Sequence, residues 1–585
     1  MRAIALLGVF ILAKIVILTG HSIPLSGWTP IAYFWQDVMV ALVFAGLDAG
    51  IRRPWFSWTL YTAAVGYAAV NVPVERVLSS PLTWPMMRAA GGALSDSILH
   101  HATPANLALM SLVAATGIAL PLLLRRIEFR GWPPSVIVGF VIVLAGPVAT
   151  SRVETIGLHR NAIAAIMASS LPHLSASAAR VHPEEDWRAS PFDENSSTHD
   201  LAYLRGMASG RNVVLVLLES TGARYLRPYG ASVDPMPNVT ALAREAIVFE
   251  HAYAVYPESI KTLFSVLCGR YPAMDSGVAS TDEYSRISTP AIANGLKGAG
   301  YRTALFHSGR FMYLGMDDVV ANKGYELLED AGAIGGKRES SFGVDEPSTV
   351  RRMLAWIDSL PRKDRFLLTY IPIAGHHPYD TPEPGPFPER EESDRYLNAL
   401  HYADASLGAL LDGLLARGLS EKTLFVICGD HGEAFGQHDG NFGHSLFIYD
   451  ENIRVPYLIA APGLVREQVR VANTVSLMDT APTILDLIGL PIPTGYQGRS
   501  MLDGGDRMAL FFTDYSLHLV GLRDGCWKYI YEPESARSKL FNLCEDPDER
   551  HDVAPQSGER VDVYRAHLAR WSTAQTALVA TGRAW

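Results

Sequence analysis

A chain of 585 residues is too long for a single hydrophobic core, so at least two domains are expected. Its formal net charge is -10, yet residues 1–150 carry 9 Lys+Arg against 5 Asp+Glu, a local +4 that leaves -14 on the remainder. So acidic a remainder has no long-range attraction for a nucleic-acid backbone, which excludes nucleic acid as a partner and requires any anionic ligand to be captured locally.

In chain order, the first 150 residues hold about five apolar windows, Ala3–Thr19, Pro30–Leu47, Trp55–Val74, Leu107–Leu124 and Pro134–Thr150. Each approaches the roughly 20 residues that cross a bilayer. A cleaved signal peptide is the alternative for the first window; Lys14 inside it and the further windows behind it speak against that. Arg2, Arg52-Arg53 and Arg125, Arg126 and Arg130 fall at the ends that would share one side with the amino terminus. The positive-inside rule puts that side in the cytoplasm, so an odd number of crossings carries everything after Thr150 to the periplasmic or extracellular face of a cell (inner) membrane. Lys14 and Asp37 would lie at similar depth near the outer leaflet, either as a structural ion pair or as a hold for a lipid headgroup.

Residues 151–208 read as a connector, with Arg180–Asp200 rich in Pro, Ser, His and acidic residues and without sustained periodicity. From 209 to 504 the pattern alternates. Apolar β-type runs at Val213–Leu218, Thr303–Phe306, Phe366–Ile371, Leu424–Ile427 and Pro456–Ala460 are separated by helix-period segments, notably Asn238–Glu245, Ser393–Ala416 and Thr480–Ile488. That alternation predicts an α/β fold, a mostly parallel sheet sandwiched by helices. Residues 505–585 change to hairpin-like strands, Leu519–Asp524 and Trp527–Tyr531, and a terminal helix, a small antiparallel subdomain. A hairpin about Ser535 would set Cys526 opposite Cys544 and Tyr529 opposite Phe541, whereas Cys268 and Cys428 sit in apolar runs as buried thiols.

The chemistry-bearing residues follow the strands. Glu219 directly follows one apolar run and Asp430 another, so parallel strands would project both carboxylates from the carboxyl edge of one sheet. His431 adds an imidazole, and with a hydroxyl the group makes a nitrogen/oxygen shell for a divalent metal, zinc by its His/carboxylate mix or manganese by its oxygen content. Ser259 opens a helix running to Cys268-Gly269, where free N–H groups favour an anion; a simple N-cap is the alternative. Thr262 lies one turn on, on the same face.

The ordered set Asp234-Pro235-Met236-Pro237-Asn238, Gly269-Arg270-Tyr271-Pro272, His376-His377-Pro378, Gly429-Asp430-His431-Gly432-Glu433 and Arg454-Val455-Pro456 resembles the sulfatase branch of the alkaline phosphatase superfamily over roughly residues 209–555. The resemblance puts Ser259 at the nucleophile position, with Thr262 as the alternative, and Glu219, Ser259, Asp430 and His431 at the metal. It gives His376 and His444 the work of stabilising the oxyanion or protonating the leaving oxygen, and Lys261, His307 and Arg310 local charge for the substrate, with surface solvation the competing reading for these three. His377 is the less suitable neighbour of His376, and His438 is either a second metal ligand or exposed.

Lys261 and Leu263 stand where sulfatases carry the Pro and Arg that direct formylglycine formation, and Glu219 stands alone where they pair aspartates. These departures look like the membrane-anchored branch, lipoteichoic acid synthases and phosphoethanolamine transferases, which carry about five membrane helices before an outward-facing domain. That branch uses Thr at the nucleophile, and its lipoteichoic acid members carry a Trp-Asn-Arg element where Tyr313-Leu314-Gly315-Met316 stands here. The resemblance implies transfer of a phospho-headgroup from a membrane lipid to an envelope glycan or lipid through a covalent phospho-serine. A membrane-tethered phosphate or sulfate ester hydrolase is the alternative, and a non-enzymatic envelope-binding domain a third reading that leaves the metal and nucleophile set unexplained. A reporter enzyme fused after Arg205 should be active outside the cytoplasm; activity confined to the cytoplasmic side would reverse the topology.

Overall fold

The computed structural model describes the chain except residues 52, 79, 85, 88–101, 126–131, 171–185, 193–199, 275–288, 338–342, 506 and 582–585. Arg52, Arg126, Arg130 and most of the Arg180–Asp200 stretch lie outside the described residues.

Five helices occupy the five apolar windows: α1 (Arg2–Leu18), α2 (Thr29–Gly50), α3 (Pro54–Leu78), α4 (Pro104–Leu124) and α5 (Trp132–Arg152). Among the described residues three, α2, α4 and the Ser135–Arg152 part of α5, are long and apolar enough to cross a membrane. α1 has 17 residues, and α3 carries Asn71, Glu75 and Arg76 in its last turns. Leu6, Val9 and Phe10 of α1 pack with Tyr33, Tyr61, Val65, Val113 and Ala149 of the other four, while Ile118, Leu123, Ile137 and Leu144 face outward. A helix apolar all round suits a bilayer. Lys14 and Asp37 do meet inside this bundle, at 3.7 Å, both buried. The Lys14 ammonium also donates to the carbonyls of Leu158 (2.9 Å) and Arg160 (2.5 Å), and Asn161 Nδ2 donates to Asp37 Oδ1 (2.6 Å). The charged pair therefore grips the loop that leaves the bundle.

Beyond the connector, one nine-stranded sheet is formed by β1 (Asn212–Leu218), β2 (Ala246–Tyr253), β3 (Arg302–His307), β4 (Leu327–Glu329), β5 (Phe366–Ile371), β6 (Thr423–Gly429), β9 (Arg454–Val455), β10 (Tyr457–Ala460) and β11 (Val469–Ser476). The short pair β7 (Ala434–Phe435) and β8 (Phe442–Gly443) stands apart. The order is β11-β2-β10-β6-β1-β5-β3-β4, with β9 beside β2. β6, β1, β5, β3 and β4 run parallel, and β11 runs parallel to β2. β10, expected with the parallel set, is antiparallel to both β2 and β6. β2 and β11 were not among the expected runs: Glu250 and His251 break β2's apolar pattern, and β11 carries Arg470 and Asn473.

β1 and β6 are buried along their whole length, the mark of central strands covered on both faces. Val213, Leu215 and Leu217 pack under helix α6 (Ser259–Cys268) and helix α9 (Thr480–Ile488). Val214, Val216 and Leu218 pack under helix α7 (Glu346–Ser359) and helix α8 (Glu392–Ala416).

The carboxyl-terminal part is a four-stranded antiparallel sheet, β12 (Ala509–Thr513), β13 (Leu519–Asp524), β14 (Trp527–Glu532) and β15 (Arg537–Asn542), covered by helix α10 (Gly558–Thr581) through Tyr564, Leu568 and Trp571. Cys526 and Cys544 are joined and Cys268 and Cys428 are buried free thiols. The hairpin register differs by one from the expected one, since Tyr529 faces Leu540. Strand pairing ends at Trp527 and Asn542, which leaves the two cysteines free to meet beyond it. Cross-linking a separation of 18 residues limits the unfolded chain. Replacing both cysteines by serine should cost on the order of 3 kcal/mol, read as a lower melting temperature of the full chain under non-reducing conditions.

Candidate active site

β1 and β6 pair in register up to Leu218 and Gly429, so the next residue on each strand, Glu219 and Asp430, emerges side by side. Gly429 and Gly432 frame Asp430-His431 because nothing larger fits: a Cβ would come to 2.2 Å of the Thr221 carbonyl at one and 2.1 Å of the Glu451 carbonyl at the other. Ser220 takes a left-handed conformation, φ 51°, and this strained turn is held by donation from its N–H to Asp430 Oδ1 (2.8 Å) and from its hydroxyl to Glu219 Oε1 (3.1 Å). β2 runs in the sense of β6, so its carboxyl end delivers α6 to the same edge.

Ser259, the first residue of α6, donates its hydroxyl to Glu219 (3.0 and 3.2 Å) and lies 3.2 Å from His431 Nε2. His431 Nδ1–H donates to the Gly432 carbonyl (3.0 Å), which aims the Nε2 lone pair at the cluster. Asp430 Oδ1 is taken by the backbone N–H groups of Ser220 and His431, leaving Oδ2 3.6 Å from His431 Nε2. Ligand atoms of Glu219, Asp430 and His431 all lie within 4.8 Å of one another. Burial, then Asp430, pushes Glu219 well above the usual carboxylate range, and burial pushes His431 down to about 4. A neutral imidazole with a free lone pair, a hydroxyl and two crowded carboxylates are the donors a divalent cation takes.

His431, Glu433 and His444 form a second such cluster. Here the charges already match: His444 Nδ1 is 3.0 Å from Glu433 Oε2. Burial opposes protonation of His444, but Glu433, then Glu219 and Asp430, raise it to about 9. Its ring centre is 4.1 Å from that of His431, so a histidinium lies against the imidazole that faces Ser259. Glu433 closes the Gly429–Glu433 motif, and its place two residues after His431 is the sequence signal for this role.

His376, following β5, lies with its ring 6.4 Å from His444 and is lowered by burial and by His444. His377 turns its ring to Tyr379 instead. His307 ends β3, buried, with Nδ1 donating to the Ile371 carbonyl (3.1 Å), and burial lowers it to about 4. Arg310 stands beside the Asp330–Gly332 turn. Three expectations change. Thr262 is fully buried and donates its hydroxyl to the Tyr256 carbonyl (2.8 Å), away from the carboxylates. Lys261, expected at the substrate or in solvent, is buried against Asp514 (2.5 Å), because the third position of α6 points inward. His438 is neither exposed nor at the cation seat; it bonds to Glu451 (2.6 Å) and stacks on Tyr449 at 3.7 Å.

Comparison with known proteins agrees with this geometry. The model of the sulfatase family matches residues 211–490. Those residues are a sulfatase-family domain with the fold of the alkaline phosphatase superfamily, and they mark an enzyme. A second model, that of the N-sulphoglucosamine sulphohydrolase C-terminal region, matches residues 436–569. The lipoteichoic acid synthase-like YvgJ of Bacillus subtilis is 26% identical over 365 residues, 59% of this chain and 57% of YvgJ. Choline-sulfatase of Rhizobium meliloti is 24% identical over 61% of this chain and 85% of its own. Arylsulfatase K of Bos taurus is 29% identical over 36% of this chain and 44% of its own. The match thus spans about half the length of YvgJ and of arylsulfatase K. Among solved structures, an alkaline phosphatase superfamily protein from Vibrio parahaemolyticus superposes with a TM-score of 0.53 at 21% identity, covering 65% of this chain and 90% of that one. The lipoteichoic acid synthase LtaP of Listeria monocytogenes does so at 0.52 and 19%, covering 64% and 94%.

Removing one carboxylate of the sulfatase-family seat should empty it. Outer-shell partners are worth about 10–100-fold in metal affinity, so Glu219→Gln and Asp430→Asn, which remove ligands, should each weaken zinc or manganese binding by at least about 100-fold. Full metal content by elemental analysis in both variants would place the seat elsewhere.

Proposed function

We propose that this enzyme is an extracytoplasmic, multi-pass membrane transferase that moves a phospho-headgroup, of phosphoethanolamine or phosphoglycerol type, from a membrane lipid to an envelope glycan or lipid. The observation that carries the reading is the contact between the site's own loop and the helical bundle. The segment between His431 and His444 reaches the α1–α2 loop, where Asp439 accepts from the Ser22 N–H (3.0 Å) and lies 3.5 Å from His21. A lipid headgroup in the adjoining leaflet then has a short path to Ser259. The unmodified serine fits the same view, since Lys261 and Leu263 replace the residues that would direct its conversion.

Glu219, Asp430, His431 and the Ser259 oxygen would hold the cation, whose chemistry when bound is to lower the hydroxyl pKa and to neutralise charge building on the phosphoryl oxygens. The Ser259 hydroxyl gives up its proton to solvent, and the Oγ alkoxide attacks phosphorus in line while the bond from phosphorus to the lipid oxygen breaks. His444, kept protonated by Glu433, gives its proton to the departing lipid alkoxide. In the second step neutral His444 takes the proton of the acceptor hydroxyl, whose oxygen displaces Ser259 as the alkoxide and restores the starting state. His376 and His307, lowered by burial, serve as neutral hydrogen-bonding walls to the phosphoryl group.

Incubation with headgroup-labelled membrane lipids should leave a phospho-headgroup adduct on Ser259, detected by intact-protein and peptide mass analysis. The adduct should vanish in Ser259→Ala and persist in Thr262→Val. An adduct on Thr262 would move the nucleophile, and release of inorganic phosphate or sulfate alone would favour the membrane-tethered hydrolase.

A further inference from the structure

We propose that Lys261 and Asp514 are positioning residues for the nucleophile, joined through a strap, residues 513–516, that spans the nucleophile helix, the His444 segment and the seat on the membrane bundle. The inference rests on Ser259 as nucleophile.

Lys261 is the third residue of α6, two places after Ser259. Its ammonium lies 2.5 Å from Asp514 Oδ1 and 3.9 Å from the Tyr256 ring centre, and its side chain is 4% exposed against 5% for Asp514. Tyr256 donates its hydroxyl to the same Asp514 oxygen (2.8 Å), so the carboxylate pins both the turn before Ser259 and the first turn of the helix that Ser259 opens. Those partners are 253 residues apart in the chain, and Asp514 comes from the end of β12 in the other sheet. Desolvating two charges offsets most of their attraction, so a buried pair is weak evidence for stability, and its geometry asks for another purpose.

The neighbours of Asp514 show what else the strap holds. Thr513 donates its hydroxyl to the carbonyl of Ser445 (2.6 Å), the residue after His444. Ser516 is bound through its carbonyl by the Arg160 guanidinium and through its hydroxyl by Ser80. Arg160 belongs to the loop that Lys14 grips inside the bundle, and its other nitrogen pairs with Glu534 (2.5 Å). Four consecutive residues therefore set Ser259 and His444 relative to each other and to the bundle. Reacting groups held slightly out of line lose rate without losing ligand affinity: a misplacement of about 1 Å can cost roughly 100-fold.

The test uses the full-length protein in detergent, loaded with metal, cleaving the soluble diester bis(p-nitrophenyl) phosphate. Lys261→Met alone strands a buried carboxylate and can unfold the chain, so the informative variant is the double K261M/D514N, which leaves no lone charge. It should keep metal content, melting temperature within a few degrees and KM within about threefold, while kcat falls about 10- to 100-fold. A kcat within twofold of the parent overturns the proposal, and so does a kcat loss that only tracks lost metal or a lowered melting temperature. Ser259→Ala is the control: if it retains activity, the nucleophile assignment fails first, and that failure is separate from the double variant's result.

Discussion

Two carboxylates that cannot avoid each other govern this molecule. β1 and β6 are hydrogen-bonded in register to their last residues, so Glu219 and Asp430 leave the sheet as neighbours, buried at 5% and 2% exposure. Like charges within 4.8 Å repel by about 3 to 4 kcal/mol even at an effective dielectric of 20. The surroundings answer that repulsion by donating hydrogen bonds from Ser220, Ser259 and the backbone of His431, and by keeping His431 neutral with its lone pair turned inward. Everything else at the site follows from where those donors must stand. Ser259 has to arrive from β2, and His444 has to carry its own counter-ion in Glu433 so that it does not compete for the same two carboxylates.

The bundle and the catalytic edge are fastened at several separate points. Lys14 and Asp37 hold the connector loop; Arg160 passes that hold to Ser516; Asp439 meets the α1–α2 loop. The first two use charge and backbone carbonyls in buried or partly buried places, where a lost partner is costly, whereas the Asp439 contact is exposed. The arrangement gives the sulfatase-family domain a defined attitude over the bundle. A transferase that takes its donor from a bilayer has need of such an attitude, and a freely tethered hydrolase does not.

Much of this was legible residue by residue. β1 and β6 announce themselves as unbroken apolar runs, and the acidic residue ending each run marks the sheet's carboxyl edge. The helices at Ser393–Ala416 and Thr480–Ile488 lie within one residue of where periodicity put them. β2 was not legible, because Glu250 and His251 interrupt its pattern near the strand end. β10 was legible as a strand but not in direction, since a short apolar run reads the same both ways. The last hairpin slipped by one residue because its turn, with Ala536 at φ 54°, could not be read from spacing.

The sequence by itself determined what is local: the apolar windows, the alternation of strand and helix, the acid-terminated runs, and the Gly-Asp-His-Gly-Glu motif whose glycines admit no side chain. Tertiary structure alone decided the partners. That Lys261 serves Asp514 and not the substrate, that Thr262 turns to the Tyr256 carbonyl, and that Glu433 charges His444 depend on which faces of distant elements meet. The physical reason is range: backbone geometry and burial pattern act over a few residues, whereas an ion pair is chosen by whichever opposite charge the packed core brings within reach.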